Sequence, residues 1–180
     1  MNDDVTVLLS EEEIEKRLTS LAAEIDRYYE NAGVEEVIAV CVLKGSLIFT
    51  ADLIRKMQTK TVLDFLRVSS YNGTMTTGNI VFKNDLSEDI TGKNVLIIED
   101  IIDTGNTLKC VIEKLWEREP QSIKLCSFLD KPARRTVKMQ GDFIGFSIPD
   151  SFVVGYGLDY NERYRDLPFL GVLKPDVYGG

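Results

Sequence analysis

The stretch Val95-Leu96-Ile97-Ile98-Glu99-Asp100-Ile101-Ile102-Asp103-Thr104-Gly105-Asn106-Thr107-Leu108 decides the fold of this chain. Together with the preceding Asn94, its apolar run Val95 to Ile98 predicts a strand, Asn94 to Ile98, with the length and β-branched content of one that is buried on both faces. A polar turn with Gly105 follows, and apolar residues then recur at helical spacing at Leu108, Val111, Ile112, Leu115 and Trp116. A buried strand, a polar turn and an amphipathic helix in this order are typical of the α/β class.

The same alternation continues on both sides of this stretch. Ser10 and Glu13 have the spacing of a capping box, which predicts the start of an amphipathic helix. The run from Val37 to Leu43 predicts another buried strand, and a helical pattern begins at Ser46. Further strands are expected at 62–67, 80–82, 122–129, 142–148 and 152–156. We therefore expect an α/β fold, with a central, mainly parallel sheet flanked by helices, built as a single domain over residues 1–180.

Composition and charge exclude several classes of protein. The chain has 180 residues, and its 21 basic against 29 acidic residues give a net charge of −8, which makes general binding to nucleic acid or to an anionic membrane unexpected. Apolar runs are shorter than the roughly 18 residues of a membrane span, and the N-terminus is acidic through Asp3 and Asp4, where a signal peptide would be basic. We therefore expect a cytoplasmic protein with no membrane partner.

The absence of histidine narrows the possible chemistry further. It excludes Ser-His-Asp and Cys-His nucleophile pairs and every His-ligated zinc site. The three cysteines, Cys41, Cys110 and Cys126, are scattered through apolar stretches, which predicts reduced core residues rather than disulfides.

Ligands of open α/β sheets bind at the carboxyl ends of the strands, so the residues there are candidates for a site. Glu99 and Asp100 offer adjacent carboxylates that can accept hydrogen bonds from a diol such as ribose. The segment from Asp103 to Thr107 has the character of an anion cradle, because Gly105 permits close backbone approach and the amides lie at a helix N-terminus carrying roughly half a positive charge. It matches neither a Walker loop nor a dinucleotide fingerprint. The long polar stretch 69–92 is also more typical of a functional loop than of a simple connection.

The stretch 95–108 resembles the phosphoribosyl-pyrophosphate (PRPP) binding motif of type I phosphoribosyltransferases. Its form, with Ile101-Ile102 between Asp100 and Asp103, resembles the hypoxanthine-guanine branch of that family. Other segments resemble the same branch: Leu43-Lys44-Gly45 is similar to the pyrophosphate loop, whose Leu-Lys peptide is often cis, and Ser70-Tyr71 to the start of the mobile hood loop. The segments Asp130-Lys131-Pro132 and 152–162, with Arg165-Asp166-Leu167 downstream, resemble the base-binding region. The resemblance covers about residues 37–172.

The resemblance implies a fold with a small hood over the carboxyl ends of the strands, including a mobile hood loop at about 69–92. It implies a purine salvage enzyme that uses PRPP, a 6-oxopurine base and Mg²⁺ to form a nucleoside monophosphate and pyrophosphate. The enzyme would be a homodimer or homotetramer.

The family's residue roles map onto matching positions of this sequence. Asp103 would be the catalytic group that takes or relays the purine proton. Ribose would be bound by Glu99 and Asp100, the 5'-phosphate by Asp103, Thr104, Gly105, Asn106 and Thr107, and pyrophosphate by Lys44, Gly45 and Arg165. The hood loop would begin at Ser70 and Tyr71. The purine would be bound by Lys131, Phe152, Val153 and Asp159, and Mg²⁺ by Asp159, Glu99 and Asp100.

Several alternatives stay open at this point. Asp103-Thr104-Gly105 also spells the triplet of aspartic proteases, although those triplets lie in all-β surroundings. Lys131 could be an ordinary surface charge, and Asp159 could form a simple salt bridge with Arg165. A xanthine-preferring phosphoribosyltransferase would share the cradle, and so would an RNA-binding regulator of the same fold, which the net charge disfavours.

Overall fold

The computed structural model describes residues 4–70 and 80–178. Nine strands and four helices are found there, with a short 3₁₀ turn at Pro132–Arg134. In chain order they are β1 (Val5–Leu9), α1 (Glu11–Asn31), β2 (Glu36–Leu43), α2 (Leu47–Ile54), β3 (Lys60–Ser70), β4 (Ile80–Asn84), β5 (Asn94–Ile102), α3 (Asn106–Trp116), β6 (Ser122–Asp130), β7 (Phe143–Ser147), β8 (Val153–Val154), β9 (Leu170–Leu173) and α4 (Pro175–Tyr178).

Six of these strands form the central sheet, in the order β4-β3-β2-β5-β6-β7. Five of them run parallel, and β4 alone pairs antiparallel, with β3. This confirms the predicted mainly parallel α/β sheet. The parallel strands place their carboxyl ends along one edge, which is where polar residues were expected to form a site.

Helices cover both faces of this sheet because its strands are apolar on both sides. Along β5, Leu96 and Ile98 belong to the core under α1 and α2, whereas Val95 and Ile97 belong to the core under α3. Adjacent residues therefore point to opposite faces, as the period of a strand requires. All four side chains are fully buried.

The capping box predicted for the first helix is present. The backbone N–H of Glu13 donates to Oγ of Ser10 at 3.2 Å, and the backbone N–H of Ser10 donates to Oε2 of Glu13 at 2.8 Å. These two bonds satisfy backbone donors that the helix itself leaves free. Cys41 and Cys126 are buried and Cys110 is half-buried, and all three are free of disulfides.

The predicted strand at 152–156 differs from the structure. Only Val153–Val154 is a strand, and it belongs to a second, antiparallel sheet of order β1-β9-β8 instead of the central one. The sequence did not predict its partners β1 and β9, because both strands are short and they lie near opposite ends of the chain. Val5, for example, pairs with Leu173. None of the helices in the described part of the chain is long and apolar enough to span a membrane.

Candidate active site

The anion cradle lies where β5 passes into α3. Gly105 has a left-handed backbone, with φ of +86°, and it occupies the N-cap position of the helix that starts at Asn106. Two facts favour glycine there. Its left-handed backbone would strain other residues, and a Cβ would lie only 2.9 Å from Cγ2 of Val137. Since Gly105 has no side chain, its place at the helix end leaves room for a ligand beside the first amides. A cavity of about 140 Å³ is lined by Glu99, Ile101, Asp103, Thr104, Gly105, Thr107 and Leu108.

A loop that follows β6 packs against this cradle. The N–H of Thr136 donates to the carbonyl of Thr104 at 3.1 Å, and Nδ2 of Asn106 donates to Oγ1 of Thr136 at 3.0 Å. Arg134 donates through Nε to Oδ1 of Asp103 at 2.9 Å, and Arg135 donates to the carbonyl of Asp103. We did not predict these loop contacts, because the only sequence feature there is a pair of arginines in a polar segment.

Glu99 and Asp100 lie within β5 and not after it, because the strand continues to Ile102. Oε1 of Glu99 accepts the N–H of Asp100 at 3.0 Å, and Oδ1 of Asp100 accepts the N–H of Ile101 at 2.7 Å. Burial and the neighbouring Asp100 carboxylate raise the pKa of Glu99 well above its usual range. Burial also raises the pKa of Asp100, although hydrogen bonds and the charge of Arg165 oppose that rise.

The loop after β2 touches this carboxylate pair directly. A Cβ at Gly45 would overlap the carboxylate of Asp100, so only glycine allows the two segments to lie so close. Gly157, with φ of +101°, packs on the carbonyl of Gly45 in the same way. The peptide bond between Leu43 and Lys44 is cis, which the resemblance to a family where it is often cis had left open. Three segments from distant parts of the chain therefore meet at this edge of the sheet.

Charged side chains connect the same segments. Nζ of Lys44 lies 2.9 Å from Oε1 of Glu162, and Nη2 of Arg165 lies 3.1 Å from Oε2 of that residue. Arg165 also pairs with Oδ1 of Asp159 at 2.8 Å and donates to the carbonyl of Gly157 at 2.7 Å. The salt bridge between Asp159 and Arg165 that we considered is thus formed, and the binding roles of both residues stay predictions. The sequence alone assigns no separate role to Glu162.

Lys131 contacts the segment that precedes Phe152. The ammonium group of Lys131 donates to the carbonyl of Ser151 at 2.6 Å, and only 9% of the residue is exposed, which contradicts the surface-charge interpretation. Phe152 is 38% exposed, whereas Val153, in β8, is buried. The ring of Tyr178 stacks on Phe152 with 4.7 Å between centroids, a contact that we had not predicted.

The predicted hood loop lies only partly within the described residues. Ser70 is the last residue of β3, and Ile80 begins β4, which pairs with it. Tyr71 and the rest of 71–79 lie outside the described residues.

Comparison with known proteins agrees with this geometry. Residues 4–161 match the family model described as "Phosphoribosyl transferase domain". The chain is 48% identical, over 98% of its length and 97% of the relative's, to the hypoxanthine-guanine phosphoribosyltransferase of Bacillus subtilis. It is 49% identical to the hypoxanthine phosphoribosyltransferase of Escherichia coli, over 95% of this chain and 96% of that one.

A solved structure gives the same result for the fold. The crystal structure of a hypoxanthine phosphoribosyltransferase from Staphylococcus aureus superposes with a TM-score of 0.93 and 44% identity, covering 100% of this chain and 97% of that one. The similarity therefore extends over both sheets and over every segment that contributes to the site.

Proposed function

The chain belongs to the phosphoribosyl transferase domain family, and we propose that it is a purine salvage enzyme. It transfers the 5-phosphoribosyl group of PRPP to hypoxanthine or guanine and releases IMP or GMP with pyrophosphate. The observation that carries this proposal is the packing of Gly45 on Asp100, next to the cradle that begins at Asp103. This packing supports one continuous site that binds a diol between two anionic groups. PRPP has this composition, because its ribose lies between the 5'-phosphate and the pyrophosphate.

Transfer of an electron-poor ribosyl carbon requires negative charge near that carbon and exclusion of water. Glu99 and Asp100 hold the ribose hydroxyls at the carboxyl end of β5. The amides and hydroxyls of residues 103–107 hold the 5'-phosphate at the start of α3, where the helix dipole favours an anion. Lys44, Gly45 and Arg165 hold the leaving pyrophosphate.

The purine occupies the other end of the site. Asp103 takes or relays the proton that the base loses, because a carboxylate is the natural acceptor in a chain without histidine. Lys131 donates to the 6-oxo group, and the burial of this lysine beside Ser151 supports that role. The exposed ring of Phe152 stacks on the base, and the backbone of Val153 reads its edge.

The residues of the site fit a Mg²⁺ ion that is shared with the substrate. Within residues 4–70 and 80–178, no three His, Cys, Asp or Glu side chains are grouped closely enough to form a metal cage. Mg²⁺ usually binds through one or two carboxylates, water and substrate phosphates, so a complete cage is not needed. Asp159, or the adjacent pair Glu99 and Asp100, would supply the one or two carboxylates, and the ion would neutralise charge on the phosphate oxygens.

The proposal also covers the domain organisation, assembly and location of the protein. We infer one domain over residues 1–180, because both hydrophobic clusters share the central sheet. The predicted hood at 69–92 is too long, because β4 (Ile80–Asn84) belongs to the central sheet and Ile90 is buried in its core. We propose that only the segment between β3 and β4 acts as the hood, and that the enzyme is a homodimer or homotetramer. The three free cysteines favour a reducing compartment, which supports the cytoplasm as its location.

One experiment tests the proposed reaction. The protein is incubated with PRPP, Mg²⁺ and hypoxanthine, guanine, xanthine or adenine separately, and the nucleotide formed is identified by chromatography. We expect IMP and GMP. Predominant formation of XMP would instead indicate the xanthine-preferring alternative. No nucleotide with any base, together with salt-dependent binding to RNA, would indicate the regulator.

A further inference from the structure

We propose that Glu162 is an internal competitor for pyrophosphate, whose carboxylate pairs with both pyrophosphate-binding cations whenever the site is empty. The inference rests on the proposed function, which assigns pyrophosphate to Lys44 and Arg165. It adds that Glu162 sets how tightly the pyrophosphate end of PRPP, and pyrophosphate itself, are held.

The contacts of Glu162 divide its two oxygens between the two cations. Oε1 lies 2.9 Å from Nζ of Lys44, and Oε2 lies 3.1 Å from Nη2 of Arg165. Lys44 is 118 residues away in the chain.

The backbone holds Glu162 at this position. Its N–H donates to Oδ2 of Asp159 at 2.9 Å, which closes a tight turn. Asn161, Glu162 and Tyr164 have φ values of +52°, +62° and +75°, in the left-handed region that non-glycine residues rarely adopt. A turn of this kind persists only where surrounding contacts support it. The carboxylate is therefore presented to Lys44 by a fixed turn.

A bound pyrophosphate group must contact the same ammonium and guanidinium groups. The Glu162 side chain is 64% exposed and that of Lys44 is 44% exposed, so their ion pair contributes little and an anion with several charges can displace it. A carboxylate that stays nearby also repels that anion. Both effects weaken the binding of pyrophosphate, and they favour its release after transfer.

The test compares Glu162→Gln with the unchanged protein, using pyrophosphate and Mg²⁺ as the probe. Isothermal titration in the absence of PRPP and base should give a dissociation constant lower by roughly two- to fivefold, the range that exposed ion pairs can produce. Glu162→Ala should shift it in the same direction. In steady-state assays the KM for PRPP should fall, and the KM for hypoxanthine should stay unchanged.

Glu117→Gln is the matched control. Glu117 directly follows α3 and pairs with Lys114 at 2.9 Å, and its side chain is 63% exposed, so this variant removes an equivalent exposed carboxylate and the same unit of charge. Its affinity for pyrophosphate should equal that of the unchanged protein. Equal tightening in both variants would overturn the proposal, because net charge alone would then explain the effect.

Unchanged or weaker pyrophosphate binding in both Glu162 variants would also overturn the proposal, since Glu162 would then position Lys44 or assist the metal. Failure of the proposed function is a different result: the unchanged protein would form no nucleotide from PRPP and any base. Thermal unfolding of each variant verifies that the compared proteins are folded.

Discussion

Nε of Arg134 lies 2.9 Å from Oδ1 of Asp103, so the carboxylate proposed to accept the purine proton is paired with a cation from the loop after β6. Both side chains are nearly half exposed, at 46% and 42%. An ion pair with that much solvent access is weak, and it can open when a base approaches. Nη1 of Arg134 also lies 3.6 Å from Oδ2 of Asp150, so Arg134 keeps a partner when its pair with Asp103 opens.

Asp103→Asn should lower kcat by about 10² to 10⁴, which is some 3 to 5 kcal/mol of barrier. The amide keeps the shape of the side chain but cannot accept the proton. Binding of PRPP should change little, because backbone amides that the substitution leaves in place hold its phosphate. Steady-state rates and PRPP titrations measure the two quantities. Unchanged kcat with much weaker PRPP binding would show that Asp103 has a structural role.

Arg134→Gln is the companion variant, since it breaks the same ion pair and keeps the carboxylate. Its loss of kcat should be much smaller than that of Asp103→Asn. Equal losses in the two variants would indicate that Asp103 matters chiefly by holding Arg134.

Gly45→Ala should reduce turnover by about 10²-fold, because the added Cβ would overlap the Asp100 carboxylate and displace either the loop or that side chain. Gly92→Ala is the control. Gly92 has φ of +66°, and its Cβ would meet open space, so alanine there costs about 1 kcal/mol of stability through backbone strain. The kcat and the stability against urea are measured for both glycine variants. A normal kcat in Gly45→Ala would mean that the contact with Asp100 is unimportant.

Local patterns in the sequence predicted the central sheet and the position of the cradle. The apolar run before Glu99 and the spacing from Leu108 onward are set by neighbours in the chain, and burial on both faces of β5 follows from them. The second sheet could not be predicted in this way. Its pairing of Val5 with Leu173 depends on how the whole chain folds, and each strand is too short to have a clear pattern.

Local patterns in the sequence could not predict the contacts within the site either. The family resemblance named Lys44, Asp103 and Arg165, but it did not give their partners in the ligand-free protein. The pairs of Lys44 with Glu162 and of Asp103 with Arg134 join residues 118 and 31 positions apart. The order of strands in the sheet determines such pairs, because it decides which strand ends become neighbours.

Lys131→Ala should lower kcat/KM for hypoxanthine by roughly 10- to 100-fold, the effect of losing one hydrogen bond to a buried polar group. Affinity for PRPP should change less. Adenine should be a negligible substrate of the unchanged protein, because its amino group cannot accept the lysine's hydrogen bond and such mismatches discriminate by about 10⁴ or more. Rapid formation of AMP would contradict the 6-oxopurine assignment.

Lys124→Ala is a suitable control for the loss of a partly buried lysine, because Lys124 lies in β6, the strand that ends just before Lys131. Nζ of Lys124 lies 2.7 Å from Oδ1 of Asp142, and the side chain is 25% exposed. Its removal should lower stability without changing the choice of base.

Turnover should require Mg²⁺ and should disappear on addition of a chelator, because PRPP brings several negative charges into an acidic protein. Asp159→Asn should raise the Mg²⁺ concentration needed for half-maximal rate by several-fold, with much of the rate recovered at high Mg²⁺. The Mg²⁺ titration also separates this role from the salt bridge between Asp159 and Arg165, which lie 2.8 Å apart. If Asp159 served only that bridge, its loss would lower the rate by the same factor at every Mg²⁺ concentration. Full activity in metal-free buffer would contradict the requirement itself.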